Sequence, residues 1–136
     1  MKVVVVGCTH AGTAAIVNLK KLQPEAEITV FERNDNISFL SCGIALYVGG
    51  VVKDPHGSFY SSPEALERIN VETKMKHNVK SVDIAGKKVK VQNIGTGEET
   101  EVNYDKLIVT TGSWPITPKI PGINSNNILL CKNYNH

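Results

Sequence analysis

The first third of the chain alternates apolar runs with short polar breaks. Residues 2–6, KVVVV, form an almost continuous β-branched run, which is typical of a parallel strand buried on both faces. After GCTHAG (7–12), apolar residues recur at helical spacing at Ala15, Ile16, Leu19 and Leu22. The run EITVFER (27–33) predicts a second strand. A strand, a helix and a strand within about 30 residues predict a βαβ unit with parallel pairing.

The middle of the chain predicts two short helices and then a β-meander. IALYVGG (44–50) can form a short helix, and Ser62 and Pro63 suit the N-cap and first position of another. Strand-like runs separated by the turn-rich stretches AGKK and GTGEE follow. They predict antiparallel strands inserted over about residues 78–104.

The end of the chain predicts one more strand and an irregular tail. KLIVTTG (106–112) is typical of a buried strand, whereas residues 113–136 hold three of the six prolines. We expect those residues to be a linker that leaves the sheet and includes a short strand, NILLC (127–131). The predicted fold class is α/β, a single domain with a parallel sheet and an inserted antiparallel meander.

Composition and charge exclude several classes of function. Apolar residues make up 41% and charged residues 21%, which is an ordinary globular balance. The net charge is +2 and the lysines are spread out, so we expect no nucleic-acid or membrane surface. The N-terminal valine run is too short for an export signal or a membrane span. These features predict a cytoplasmic protein.

The cysteines and histidines are too scattered to predict a metal site or a disulfide framework. No CxxC pair and no ligand-like spacing occurs among Cys8, Cys42, Cys131, His10, His56, His77 and His136. We therefore expect three thiols and no bound metal.

The stretch after the first strand is a candidate phosphate cradle. Gly7, Thr9 and Gly12 occupy the positions of a G-x-G-x-x-G turn, with Thr9 in place of the middle glycine. Glu32 follows Gly12 by 20 residues, at the end of the second strand, where an acid binds adenosine ribose hydroxyls. An accidental glycine turn and a solvent-exposed glutamate are the alternatives. The acid favours an FAD-like or NAD-like nucleotide over an NADP-like one.

A third strand end points to the same crevice. YDKLIVTTG (104–112) ends in Thr-Thr-Gly. Ligands of open α/β sheets bind outside the carboxyl ends of the strands. We expect this strand end, Gly7 and Glu32 to meet at one edge of the sheet.

These motifs together resemble the FAD domain of the flavoprotein pyridine nucleotide-disulfide oxidoreductases. YDKLIVTTG is similar to the second flavin motif of that family, with Thr110 in place of the usual alanine. GCTHAG and ISFLSCG narrow the resemblance to the single-cysteine branch of NADH oxidases, NADH peroxidases and coenzyme A-disulfide reductases. SFLSCGIALYVGG, FYSSPE, GSWPITPKIPGI and LCKNYNH resemble most the water-forming NADH oxidases of lactic acid bacteria.

The resemblance implies a set of FAD-binding residues and an incomplete domain. Lys132 stands where several relatives carry arginine near the flavin phosphates, and it keeps the charge without the bidentate fork. Residues 1–112 would form the first segment of the FAD domain, and 113–136 a linker towards an NADH-binding domain that this chain lacks. The implied cofactor contacts are Gly7, Thr9, His10, Ala11, Gly12, Glu32, Arg33, Ser41, Cys42, Val79, Thr110, Thr111, Gly112, Ser113 and Lys132.

Cys42 is the candidate redox residue. It lies at the start of a predicted short helix, whose positive end favours a thiolate. The resemblance implies that Cys42 cycles between thiolate and sulfenic acid beside the flavin, with His10 assisting oxygen or peroxide chemistry. A buried packing role for Cys42, and a helix-capping or phosphate-binding role for His10, are the alternatives. We expect Cys8 to pack against the sheet and Cys131 to have no redox role.

The resemblance implies an FAD-dependent NADH oxidase that reduces O₂ to water and forms homo-oligomers when complete. An NADH peroxidase or a coenzyme A-disulfide reductase is the nearest alternative. A nucleotide-binding segment without turnover of its own and a simple NAD-binding Rossmann protein are two others.

Overall fold

The computed structural model describes residues 1–136. Its strands are β1 (Lys2–Val6), β2 (Glu27–Glu32), β3 (Val71–Met75), β4 (His77–Asp83), β5 (Lys88–Asn93), β6 (Glu99–Asn103) and β7 (Lys106–Val109). Its helices are α1 (His10–Leu22), α2 (Ile44–Val48) and α3 (Pro63–Glu67), and 3₁₀ turns occupy Ser41–Gly43 and Pro55–Ser58.

Four strands form a parallel sheet in the order β3-β2-β1-β7. β1 is central, because Val3 pairs with Ile28 on one side and with Lys106 on the other. This order is one half of a doubly wound sheet, in which the β1–β7 neighbourhood is the switch point where ligands bind. The predicted βαβ unit and parallel pairing are confirmed.

The valines of β1 divide the core into two halves. Val3 and Val5 pack with Ile16 of α1 on one face of the sheet. On the other face, Val4 and Val6 pack with buried residues of the three-stranded antiparallel sheet β4-β5-β6, such as Val89. Helices, parallel sheet and meander therefore form three layers. The predicted α/β fold class, the burial of β1 on both faces and the inserted meander are confirmed.

The predicted helix starts are also present. The Ser62 hydroxyl accepts a hydrogen bond from the Ala65 N–H at 3.2 Å, and Pro63 takes the first position of α3. The second predicted short helix is α2, which directly follows the Ser41–Gly43 turn. No helix is both long and apolar enough to cross a membrane.

One parallel strand, β3, is missing from the sequence-based prediction. Only Val71 of its five residues is fully buried, because β3 forms an outer edge of the sheet. Charged residues alternate with the others in VETKM, so no continuous apolar run marks the strand. β3 is identified as a strand by its parallel pairing with β2, which the sequence pattern does not indicate.

Two expectations about burial and regularity are wrong. β7 is an edge strand rather than a buried one, and Val109 is 60% exposed because no strand covers its far side. NILLC forms no strand, because no neighbouring strand pairs with it.

Candidate nucleotide-binding cleft

An open cleft of about 540 Å³ lies at the carboxyl edge of the parallel sheet. Gly7 after β1, Glu32 at the end of β2 and Thr110 after β7 all line it. The expected meeting of three strand ends at one crevice is confirmed. Crevices of this kind are the ligand sites of open α/β sheets.

The turn between β1 and α1 has room only for glycine at two positions. Gly7 has a φ of +91°, and a Cβ there would lie 2.5 Å from the Thr110 carbonyl oxygen. A Cβ on Gly12 would overlap the Gly7 carbonyl oxygen and lie 2.9 Å from Thr110 Oγ1. The Thr110 hydroxyl also donates to the Gly7 carbonyl at 2.9 Å. The turn is therefore pressed directly against the end of β7, and an accidental glycine turn does not explain this packing.

The start of α1 presents uncompensated backbone N–H groups to the cleft. The helix begins at His10, its N-cap Thr9 makes no side-chain capping bond, and no acidic residue lies in its first turn. Thr9, His10 and Ala11 all line the cleft. Free N–H groups and the positive end of the helix dipole together favour a bound anion such as a pyrophosphate.

Glu32 is fixed beneath this turn. Glu32 is 4% exposed, so the alternative of a solvent-exposed glutamate is wrong. One carboxylate oxygen accepts a hydrogen bond from the Cys8 N–H at 2.9 Å, and the other accepts from the Asn34 N–H and Nδ2 at 2.9 and 2.7 Å. The carboxylate therefore enters the cleft in a single, well-supported position.

The tail and the meander form the remaining walls. Val79 lies on the meander side. From the tail, Trp114 stacks under the Arg33 guanidinium, whose carbon lies 4.6 Å from the ring centroid. Asn135 Nδ2 donates to Asp35 at 3.1 Å and lowers the pKa of that carboxyl, with help from Asn36. The end of the chain thus folds back over the rim of the cleft.

Cys42 lies beside the cleft rather than in its wall. It is exposed within the Ser41–Gly43 turn, and the neighbouring Ser41 lines the cleft. A buried packing role for Cys42 is therefore wrong. The His10 ring packs on Tyr60, with centroids 5.6 Å apart, and no hydrogen bond joins it to Cys42. The structure thus brings Ser41 and His10 to the cleft but leaves the thiol at its edge.

The other two cysteines are free thiols in contrasting environments. Cys8 is fully buried against the sheet, as expected. Burial raises the pKa of its thiol to about 11, so Cys8 stays protonated and unreactive near neutral pH. Cys131 is exposed and unpaired.

Most of the residues predicted to bind the cofactor line the cleft. The two exceptions are Gly12 and Cys42. Gly12 packs against the Gly7 carbonyl and Thr110, underneath the wall of the cleft. The predicted residues in the wall are Gly7, Thr9, His10, Ala11, Glu32, Arg33, Ser41, Val79, Thr110, Thr111, Gly112, Ser113 and Lys132.

Sequence reasoning missed several wall residues. Asn34 and Trp114 directly follow predicted site residues, so their positions after two strand ends could have indicated them. Phe39 and Asn133 come from irregular segments and carry no comparable signal.

Comparison with known proteins agrees with this geometry. The family model described as pyridine nucleotide-disulphide oxidoreductase matches residues 1–136. An NADH oxidase of Enterococcus faecalis is 62% identical over 134 residues, covering 98% of this chain. A coenzyme A disulfide reductase of Staphylococcus haemolyticus is 30% identical over 82% of this chain. The structure of a water-forming NADH oxidase from Lactobacillus brevis bound to NADH superposes with a TM-score of 0.96 at 57% identity over the whole chain.

The chain spans only part of these relatives. It covers 30% of the Enterococcus and Lactobacillus proteins and 26% of the Staphylococcus protein. The family match nevertheless extends over every residue of the chain. The chain therefore belongs to the pyridine nucleotide-disulphide oxidoreductase family.

Proposed function

We propose that the cleft binds FAD. The observation that carries the proposal is the cradle itself, in which Gly7 and Gly12 leave no room for a Cβ beside an uncapped helix start. A dinucleotide needs an anion site and a ribose site close together. The buried Glu32 carboxylate lies next to the cradle and supplies the second of these.

The residues present fit the cofactor as follows. The N–H groups of Thr9, His10 and Ala11 would hold the pyrophosphate, and Glu32 would accept hydrogen bonds from ribose hydroxyls. Lys132 adds a positive charge to the wall, and Thr110 supports the cradle through the Gly7 carbonyl. The remaining predicted contacts are Gly12, Arg33, Ser41, Cys42, Val79, Thr111, Gly112 and Ser113.

For the complete protein we propose an NADH oxidase that reduces O₂ to water. Bound FAD would supply the two-electron transfer from NADH to O₂. The overall reaction consumes two NADH, two protons and one O₂, and yields two NAD⁺ and two water molecules. The relatives named NADH oxidase and water-forming NADH oxidase support this choice.

Cys42 is assigned the removal of hydrogen peroxide. Its thiolate sulfur attacks one peroxide oxygen, the O–O bond breaks, and the leaving hydroxide takes a proton to become water. Cys42 is then a sulfenic acid, which two electrons from NADH and one proton convert back to thiolate with release of the second water. His10 lines the cleft and is the candidate proton donor. The exposure of Cys42 supports this role, because hydrogen peroxide must reach the sulfur.

The domain assignment follows from the same proposal. Residues 1–112 supply the first segment of the FAD domain, with the meander insertion at about 78–104. Residues 113–136 lead from it towards an NADH-binding domain, and the complete protein forms homo-oligomers. NADH and O₂ are the proposed substrates.

A coenzyme A-disulfide reductase is the second candidate, favoured by the identity to the Staphylococcus coenzyme A disulfide reductase. An oxygen electrode and a peroxide assay on the complete, FAD-loaded protein with NADH separate the candidates. The oxidase predicts uptake of one O₂ for every two NADH with no hydrogen peroxide. Absence of O₂ uptake, or accumulation of hydrogen peroxide, would contradict it. Cys42→Ser should convert the product from water to hydrogen peroxide.

A further inference from the structure

Ser38 has an unusual backbone for a buried residue. Its φ is +57° and it is 0% exposed. The other non-glycine residues with positive φ, Asn70, Lys76 and Lys87, are exposed. A left-handed backbone is unfavourable for an L-residue with a Cβ and persists only where the surroundings enforce it.

Hydrogen bonds to three separate segments enforce this conformation. The Ser38 N–H donates to the Cys8 carbonyl at 2.7 Å, and the Ser38 carbonyl accepts from the Tyr60 N–H at 3.2 Å. The Ser38 hydroxyl shares a 2.8 Å hydrogen bond with the buried Thr13 hydroxyl, which also lies 3.6 Å from Cys8 Sγ. Every polar group of Ser38 is thus tied to the cradle turn, to α1 or to the segment before α3.

The same anchorage continues to Cys42. Leu40 donates its N–H to the Ser58 carbonyl at 2.8 Å, and the Gly43 N–H donates to the Leu40 carbonyl at 2.9 Å, which closes the turn that contains Cys42. Phe39 bridges to Phe59 in an isolated antiparallel pair. No helix or strand intervenes between Ser38 and that turn. The position of the thiol therefore depends on the path that Ser38 imposes.

We propose that Ser38 and Thr13 are positioning residues for Cys42, their buried hydroxyl pair fixing the turn that holds the thiol beside the cleft. The inference rests on the redox role proposed for Cys42. Neither Ser38 nor Thr13 lines the cleft, so the hydroxyl pair acts through the backbone. Ser38 bonds to the cradle turn through its N–H and to α1 through its hydroxyl, so one residue links both elements to the segment that leads to Cys42.

The test compares variants of the complete, FAD-loaded protein. Ser38→Ala and Thr13→Val each remove one hydroxyl of the pair, and Thr13→Ser restores it. The reduced protein is mixed with hydrogen peroxide, and sulfenic acid at Cys42 is trapped with dimedone and followed by mass spectrometry. We expect Ser38→Ala and Thr13→Val to slow Cys42 oxidation by about tenfold or more, with the KM for NADH unchanged and more hydrogen peroxide released. Thr13→Ser should stay within about twofold of wild type.

Thr73→Val is the matched control. Thr73 Oγ1 is a buried hydroxyl on β3 with no hydrogen-bond partner, so its removal should leave Cys42 oxidation unchanged. If Ser38→Ala does not fold, the same measurement is made on Ser38→Gly and on the volume-matched Thr13→Val. Glycine tolerates the positive φ at position 38.

Two results distinguish failure of the positioning role from failure of the role proposed for Cys42. Folded variants of the pair that oxidise Cys42 as fast as wild type would overturn the positioning role. If Cys42→Ser itself leaves the ratio of water to hydrogen peroxide unchanged, the proposed function of Cys42 fails first.

Discussion

Replacing Gly12 with alanine perturbs the cradle from a position that does not itself line the cleft. The new Cβ would overlap the Gly7 carbonyl oxygen and lie 2.9 Å from Thr110 Oγ1. The Gly7 carbonyl is backbone and cannot rotate away, so α1 must move relative to β1 and β7. Since overpacking costs about 1–3 kcal/mol, and alanine recovers up to about 1 kcal/mol of helix propensity, a net loss of about 1–2 kcal/mol in unfolding free energy is expected.

The same displacement misaligns the N–H groups at the start of α1. Loss of one hydrogen bond to a charged phosphate is worth about 1.5–3 kcal/mol, which corresponds to a roughly ten- to hundredfold weaker Kd for FAD. Urea unfolding measures the stability, and quenching of flavin fluorescence measures FAD binding. Gly57→Ala is the matched control, because no atom beyond its own residue and its two chain neighbours lies within 4 Å of its added Cβ. If Gly12→Ala unfolds at the wild-type midpoint and binds FAD with wild-type affinity, the packing argument for the cradle is refuted.

Three further substitutions test the Glu32 carboxylate, the buried Cys8 thiol and the start of α3. Glu32→Gln turns an amide N–H₂ towards the Cys8 or Asn34 donors, and should lower stability by about 1–3 kcal/mol in urea unfolding and weaken FAD binding. The Cys8 thiol has a pKa of about 11 in the folded protein and of 9.0 in the unfolded chain. Between these pH values only the unfolded chain ionises, so the unfolding free energy of wild type should fall by about 3 kcal/mol from pH 9 to pH 11. Cys8→Ala should lack this part of the loss. Equal pH dependence of the two proteins would contradict this. Ser62→Ala removes the N-cap of α3 and should lower the unfolding free energy by about 1 kcal/mol in the same assay. An unchanged urea midpoint would contradict this capping role.

The sequence was sufficient to predict features whose cause lies within a few neighbouring residues. The β1 valines need burial on both faces, Gly7 needs a positive φ, and Ser62 needs only its own hydroxyl and the following N–H groups. These demands are met within a few residues of the chain. The strand, the cradle turn and the start of α3 were therefore predictable.

Features that depend on distant segments were not predictable. β3 is a strand only because β2 offers it an edge, and β7 is exposed only because no strand covers it. Trp114 reaches the cleft by stacking on Arg33, and Ser38 adopts its backbone because Cys8, Thr13 and Tyr60 bond to it. Neither the stacking of Trp114 on Arg33 nor the hydrogen bonds to Ser38 leave a periodic pattern in the sequence.

The central claim is that the cleft between β1, β2 and β7 binds FAD. The visible absorption spectrum of the purified protein, before and after addition of FAD and removal of the unbound cofactor, tests it most directly. We expect the absorption of a bound flavin, and a much weaker retained signal in Glu32→Gln and Gly12→Ala than in Gly57→Ala. A folded protein that stays colourless and retains no added FAD would contradict FAD binding in this cleft.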